Sequence, residues 1–187
     1  LNTGTMVSKA LRSKGHNVIM LDVFMGYHEE EEDITDIFNH TEEASADVAQ
    51  IPGEAPDIAQ VKAMRKDQSA CFFGPNVIKI CQAADIVFMA LHGENGENGK
   101  IQAAFDLFGI QYTGSRYLGS ALAMDKGISK KMFEAAGIPT PHGIAMSKTQ
   151  RHTPFSETGL TLPCVVKPCC GGSSIGVTIV RTADEYE

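Results

Sequence analysis

A continuous apolar segment, Asp85–Leu91, runs directly into a glycine-rich turn and then into a helix. The segment reads Asp-Ile-Val-Phe-Met-Ala-Leu, and the turn His92–Gly99 follows it. A strand without polar alternation is typical of a parallel sheet that is covered on both faces. Residues 100–108 have helical spacing and are closed by Gly109. We therefore expect an open α/β sheet, with ligands bound beyond the carboxyl ends of its strands.

The first residues of the chain predict half of a βαβ unit. Helical spacing indicates a helix from Thr3 to Lys14, and the apolar segment Asn17–Phe24 then reads as a buried strand. A further helix is predicted over Val77–Ala84. Because a βαβ unit begins with a strand, we expect the strand before the first helix to lie outside this sequence.

The pattern changes near Gly114, where two helices are followed by short strands. Asp125 is a plausible N-cap for the second helix. A short loop joins the last two strands, which favours an antiparallel pair. We expect an N-terminal α/β domain over residues 1–114 and a smaller α+β domain over residues 115–187. The predicted elements of the second domain are helices at Leu118–Met124 and 126–136, and strands at His142–Met146, Pro163–Lys167 and Gly176–Arg181.

Composition narrows the function classes. The chain has 187 residues and a net charge of −7, which argues against a general nucleic-acid binder. Its five cysteines have no zinc-like spacing and are read as reduced thiols. No apolar run approaches the ~20 residues of a membrane helix. We expect a cytoplasmic protein without membrane partners, in which the acidic run Glu29–Asp33 is solvated.

A strand–loop–strand at Val165–Val177 has the composition of a phosphate-binding hairpin. Lys167 stands where the first strand enters a glycine-serine loop, and alternation places its side chain over a partly buried surface with Val165. Lys126 opens a predicted helix, where an anion is favoured. The two lysines and the loop suggest a phosphate clamp that is not a P-loop. The alternatives are a hairpin that binds nothing and a lysine that reaches into water.

The turn after the apolar strand crowds His92, Glu94 and Glu97 together. Its N–H groups suit the carboxylate of an amino acid, and Glu97 suits the ammonium. The alternatives are a histidine that bonds the loop backbone and a solvated Glu94. No nucleophile–base set is present, and no metal ligands are predicted within the chain.

Taken in order, these motifs resemble one family, the D-alanine–D-alanine ligases of the ATP-grasp superfamily. The resemblance covers about residues 85–181. The matching stretches are residues 90–102, Tyr112-Thr113-Gly114-Ser115, residues 120–126, residues 136–141, and Val165–Pro168 with Gly172–Val177.

The resemblance implies a Rossmann-like first domain, a small central ATP-grasp subdomain and a C-terminal subdomain beyond this chain. It implies that ATP activates one D-alanine for attack by a second, to make peptidoglycan precursors. By matching position it implies ATP-phosphate contacts from Lys126, Lys167, Gly172, Ser173 and Ser174, and substrate-side roles for Ser173, His92 and Glu97. Mg²⁺ ligands are expected beyond residue 187, and a homodimer is expected by analogy.

Three departures qualify this reading. The first strand and its glycine-rich turn precede Leu1, and the magnesium-binding half follows Glu187, so residues 1–187 alone are expected to have little activity. The segment Cys169–Gly171 replaces a usually more polar approach to the serine loop. The acidic segment at about residues 27–74 is longer than in compact members, and in this it resembles vancomycin-resistance-type relatives, which can join D-alanine to D-serine or D-lactate. A non-catalytic module that binds nucleotide or D-amino acid is the remaining alternative.

Overall fold

The computed structural model describes residues 2–27, 34, 36–39, 57–172 and 174–186, and it is a mixed α/β chain. The acidic run at 29–33 and Ser173 lie outside the described residues. The helices are α1 (Asn2–Arg12), α2 (Ile58–Met64), α3 (Val77–Ala83), α4 (Lys100–Phe108), α5 (Tyr117–Met124), α6 (Lys126–Ala135) and α7 (Ala183–Tyr186). The strands are β1 (Cys164–Val166) and β2 (Thr178–Val180), and short 3₁₀ turns occupy Lys148–Gln150 and Phe155–Glu157.

The chain divides into two compact units. One comprises Leu1–Ala90 with Phe108–Thr113, and the other comprises Leu91–Leu107 with Gly114–Glu187. The division into domains at residues 114 and 115 stays a prediction. No helix among the described residues is long and apolar enough to cross a membrane.

The five predicted helices are present as α1, α3, α4, α5 and α6, whereas α2 and α7 were not predicted. Side-chain caps mark the beginnings of α6 and α2. Asp125 precedes α6, and its side chain accepts a hydrogen bond from the Ile128 N–H at 3.0 Å. Asp57 does the same for α2, accepting from the Ala59 N–H at 2.8 Å. Each cap satisfies one of the free N–H groups that every helix leaves at its beginning.

The prediction of a buried strand over residues 17–24 is wrong. The backbone of this segment bonds to a side chain and to a loop instead of a neighbouring strand. Arg12 donates to the Val18 carbonyl at 2.6 Å, and the Gly74 N–H donates to the Val23 carbonyl at 2.9 Å. The Asp22 carboxylate accepts from the Phe24 N–H at 2.9 Å and turns the chain. Among the described residues, this segment therefore pairs with no strand.

The predicted parallel sheet is reduced to one parallel bridge among the described residues, between Val87 and Tyr112. The Val87 N–H donates to the Gln111 carbonyl at 2.8 Å, and the Thr113 N–H donates to the Val87 carbonyl at 3.0 Å. The expectation that both faces of this strand are covered is also wrong, because Ile86 is 59% exposed and Phe88 is 46% exposed.

The antiparallel pair predicted in the second half is confirmed. β1 and β2 pair in antiparallel register, with Val165 opposite Ile179. The strand predicted over residues 142–146 does not form. The two residues before it are bonded to a side chain, since Lys130 donates to the Pro141 carbonyl and, at 3.4 Å, to the Thr140 hydroxyl.

A buried arginine organises the loop between α2 and α3 in the first unit. Arg65 is 2% exposed, and its guanidinium lies 5.0 Å from the centroid of the Phe24 ring. It donates to the carbonyls of Cys71 and, at 2.9 Å, Phe73, and it pairs with Asp67. The hydrogen bond from Arg65 lowers the pKa of the Asp67 carboxyl below its ordinary value. A planar guanidinium satisfies several acceptors at once.

Replacing Arg65 with Met should lower the free energy of unfolding by about 2 kcal/mol, because the Cys71 and Phe73 carbonyls lose their donor. Urea unfolding followed by circular dichroism measures this change. Arg116→Met is the control, since Arg116 is exposed and makes no capping bond at the start of α5. Equal midpoints for the two variants would contradict the prediction.

The five cysteines are free thiols with different surroundings. Burial raises the pKa of the Cys81 thiol to about 11, and the thiolate is the nucleophile. Iodoacetamide at about pH 8 should therefore label the exposed Cys71 and Cys170 and spare Cys81 until urea unfolds the chain. Mass spectrometry of tryptic peptides measures the labelling, and reaction of native Cys81 at the Cys71 rate would refute the prediction.

The same shift has a sign for stability. The folded pKa of Cys81 lies above its ordinary value of 9.0, so the fold favours the protonated thiol. This contribution is complete below pH 9.0 and is lost as the pH rises through about 11.

Candidate active site

The glycine-rich turn at residues 92–99 is closed by the side chain of Glu97. The Glu97 N–H donates to the Gly93 carbonyl at 3.0 Å, and the Gly93 N–H donates back to the Glu97 carboxylate. Gly93 has φ of +80°, a conformation that favours glycine. His92 and Glu97 are both exposed beside this closure. The carboxylate predicted to receive an ammonium is thus held in place by the backbone of its own turn.

Two glycines let the turn lie against its neighbours in the second unit. A Cβ on Gly96 would stand 2.5 Å from the Leu91 Cβ. A Cβ on Gly99 would collide with the Tyr117 carbonyl at the start of α5, with 3.1 Å to its carbon, and Gly99 has φ of +87°. No other residue fits at either position without moving backbone.

The polar groups around the start of α4 are mostly paired within the turn. The Lys100 N–H donates to the Asn98 side chain at 3.2 Å. Lys100 and Glu94 form an exposed ion pair at 3.4 Å, which contributes little to stability. Glu94 therefore behaves as the solvated loop residue that was the alternative for it.

Lys126 is joined to the glycine-serine loop. Its Nζ donates to the Gly171 carbonyl at 2.8 Å and to the Cys169 carbonyl at 3.4 Å. Its backbone N–H also donates to the Cys169 carbonyl, at 3.0 Å. The predicted proximity of Lys126 to this loop is therefore present in the structure. The carbonyl partners of the ammonium were not predicted, because they lie more than 40 residues along the chain.

Lys167 and the loop residues project into solvent. Lys167 follows β1 and is exposed, and Val165 on the same strand face is 54% exposed, so the prediction of a partly buried surface there is wrong. Gly172 and Ser174 are also exposed. Ser173 lies outside the described residues.

The loop is a sequence of tight turns. The Ile175 N–H donates to the Gly172 carbonyl and the Val177 N–H donates to the Ser174 carbonyl, both at 3.2 Å. Ser174 has φ of +61° and Gly176 has φ of +72°. Small residues with left-handed backbone can present N–H groups to an anion.

In the part of the chain that the structure describes, no group of three or more His, Cys, Asp or Glu side chains could hold a metal ion. The candidate residues form two groups, Lys126 with the glycine-serine loop and Glu97 with the backbone of its turn, and the first group supplies cationic and neutral donors. Such a set can hold an anionic phosphate.

One polar residue that sequence reasoning missed is Gln102. It is buried on α4 beside Ile101, and its Nε2 donates to the Gly96 carbonyl at 2.7 Å. A polar residue on the apolar face of an otherwise amphipathic helix was the available signal.

Two family models match most of the chain. The family described as D-ala D-ala ligase N-terminus matches residues 1–115. The chain belongs to the D-alanine–D-alanine ligase family. The family described as D-ala D-ala ligase C-terminus matches residues 132–187.

Similar ligases agree with this assignment. The D-alanine–D-alanine ligase of Pediococcus pentosaceus is 42% identical over 188 residues, covering 100% of this chain and 52% of its own length. A crystal structure of D-alanine–D-alanine ligase from Bacillus anthracis has a TM-score of 0.54 and 42% identity, covering 59% of this chain and 36% of that one. A crystal structure of the Bacillus anthracis ligase complexed with ATP has a TM-score of 0.50 and 38% identity, covering 59% and 36% of the two chains. The chain spans about half the length of the curated relatives it matches.

Replacing Gly99 with Ala should destabilise the protein more than replacing Gly109 with Ala. Both glycines have positive φ, at +87° and +67°, but a Cβ on Gly109 meets nothing within 4 Å. The Gly109 variant should therefore lose only the backbone term of about 1 kcal/mol, while the Gly99 variant also meets the Tyr117 carbonyl. Thermal unfolding measures both, and equal losses would contradict the role of close contact.

Proposed function

We propose that the protein carrying this chain is an ATP-dependent D-alanine–D-alanine ligase that supplies dipeptide for peptidoglycan precursors. The observation that carries the proposal is the ammonium of Lys126, at the start of α6, held against the glycine-serine loop. Family membership and a relative complexed with ATP support it.

In the proposed reaction, a carboxylate oxygen of the first D-alanine takes the terminal phosphoryl group of ATP. The bond to ADP breaks and an acyl-phosphate forms. The amine of the second D-alanine then attacks the acyl carbon and loses a proton, and inorganic phosphate leaves. Because little covalent chemistry falls to the protein, its contribution is orientation and neutralisation of charge.

The proposed phosphate contacts come from Lys126, Lys167 and the loop residues Gly172, Ser173 and Ser174. Lys126 would exchange its carbonyl partners for phosphate oxygens, since hydrogen bonds between ions are stronger than bonds to neutral carbonyls. Lys167 is exposed, so it can reach phosphate at a small desolvation cost.

The proposed substrate-side residues are Ser173, His92 and Glu97. Glu97 is exposed and its carboxylate is already oriented by the Gly93 N–H, so it can accept a D-alanine ammonium without first becoming ordered. His92 begins the same turn and is exposed, so its ring nitrogens can reach a substrate bound beside Glu97.

The remaining features of the proposal rest on the resemblance or on composition. They are an ATP-grasp arrangement divided at residues 114 and 115, Mg²⁺ held by ligands beyond residue 187, a cytoplasmic homodimer, and no nucleic-acid or membrane partner. No reaction step depends on them here.

Turnover by the complete protein tests the proposal. With ATP, Mg²⁺ and D-alanine, ADP release should match the D-alanyl-D-alanine detected by mass spectrometry. D-serine and D-lactate are supplied in parallel as second substrates. Preferred use of either would replace the proposal with the related ligase activity, and nucleotide binding without turnover would favour a binding module.

Replacing Lys126 with Met should raise the KM for ATP about tenfold or more, because a phosphate contact to a cation is lost. The KM for D-alanine should change much less. Lys131→Met is the matched control, since Lys131 lies exposed on the same helix. An unchanged KM for ATP in the Lys126 variant would remove this residue from the nucleotide site.

A further inference from the structure

A buried side-chain amide donates a hydrogen bond to the backbone of the glycine-rich turn. Gln102 is 6% exposed on α4, and its Nε2 donates to the carbonyl of the buried Gly96 at 2.7 Å. Gly96 is immediately followed by Glu97. The side chain of Gln102 therefore fixes the peptide group that enters Glu97.

The same amide is only half satisfied in its buried position. Among the described residues, Gln102 Oε1 is buried without a hydrogen-bond partner. Buried polar atoms are usually paired, and an orphaned acceptor lowers stability. An apolar side chain of the same length would remove this orphaned acceptor but would leave the buried Gly96 carbonyl without its donor. The amide therefore acts on the backbone of the turn as well as on the packing of α4.

The amide acts on the part of the turn that carries Glu97. Gly96 is held by Gln102, and Glu97 is held at two points by Gly93, which follows His92 directly. Short links of this kind transmit a displacement of the Gly96 peptide to the Glu97 carboxylate. An error of about 1 Å in a substrate-orienting group can reduce the rate a hundredfold.

We propose that Gln102 is a positioning residue, whose amide N–H to the Gly96 carbonyl sets the orientation of Glu97 and His92 for the D-alanine substrate. This role rests on the proposed ligase function. Gln102 does not touch the reacting atoms.

Gln102→Met in the complete protein tests this role. The substitution removes one orphaned acceptor, Gln102 Oε1, and leaves another, the Gly96 carbonyl, so the melting temperature should change little. The KM for D-alanine should rise about tenfold while the KM for ATP stays within about twofold. Gln60→Met, on the exposed surface of α2, is the matched control and should leave all three quantities unchanged.

Gln102→Glu provides a signature that a packing role would not produce. A protonated carboxyl group can donate to the Gly96 carbonyl, whereas a carboxylate cannot. Because burial raises the pKa of a carboxyl group, activity relative to the unmodified protein should recover as the pH falls from about 8 to about 6. A deficit independent of pH would overturn the proposal.

Hydrogen exchange separates this proposal from the ligase function. Amide exchange over residues 91–99 should accelerate in Gln102→Met and not in Gln60→Met, whether or not dipeptide is formed. Failure of the unmodified protein to make dipeptide would reject the ligase function alone. Unchanged exchange, or equal changes in both KM values together with a lower melting temperature, would reject the positioning role.

Discussion

Close backbone contact without side chains is the constraint on which the candidate site depends. Gly99 lies against the Tyr117 carbonyl, and Gly96 lies against Leu91, at distances that no Cβ permits. The contact of Gly99 places the start of α4 beside the start of α5, and the contact of Gly96 holds the preceding turn against Leu91. The polar groups of the turn then have fixed backbone partners. The orientation of Glu97 is therefore a consequence of packing that glycine alone allows.

Local features were predictable from sequence, and long-range pairings were only partly so. Helices α1 and α3 to α6 follow from periodicity, and the Asp125 cap follows from a side-chain bond that spans three residues, whereas α2 and α7 were not predicted. The parallel sheet was overestimated, since pairing needs a partner strand and the segment at residues 17–24 is bonded to the Gly74 loop instead. Apolar content at Ile86 and Phe88 indicated burial, yet both are exposed. An apolar sequence indicates that a segment can form a strand, but whether it pairs and is covered depends on distant parts of the chain.

The candidate site shows the same division. Lys126 was correctly predicted to begin a helix, because the capping Asp125 and the helical spacing after it are both local in the sequence. Its bonds to Cys169 and Gly171 depend on a hairpin more than 40 residues away. Gln102 was missed because a single polar residue on an apolar helix face has many explanations until the Gly96 carbonyl is seen beside it.

The bond between Lys126 and Gly171 also sets a relation between two binding events. A phosphate that takes the place of the Cys169 and Gly171 carbonyls on the ammonium would leave the loop tied to α6 by the backbone bond from the Lys126 N–H to Cys169. Because the position of the loop and the occupancy of the ammonium are linked, a change that moves the loop away from α6 would also favour binding of an anion to Lys126 in the proposed site. In the proposed site, the carbonyls of Cys169 and Gly171 would therefore compete with phosphate for the Lys126 ammonium. The same bonds hold Cys169 and Gly171 beside the start of α6.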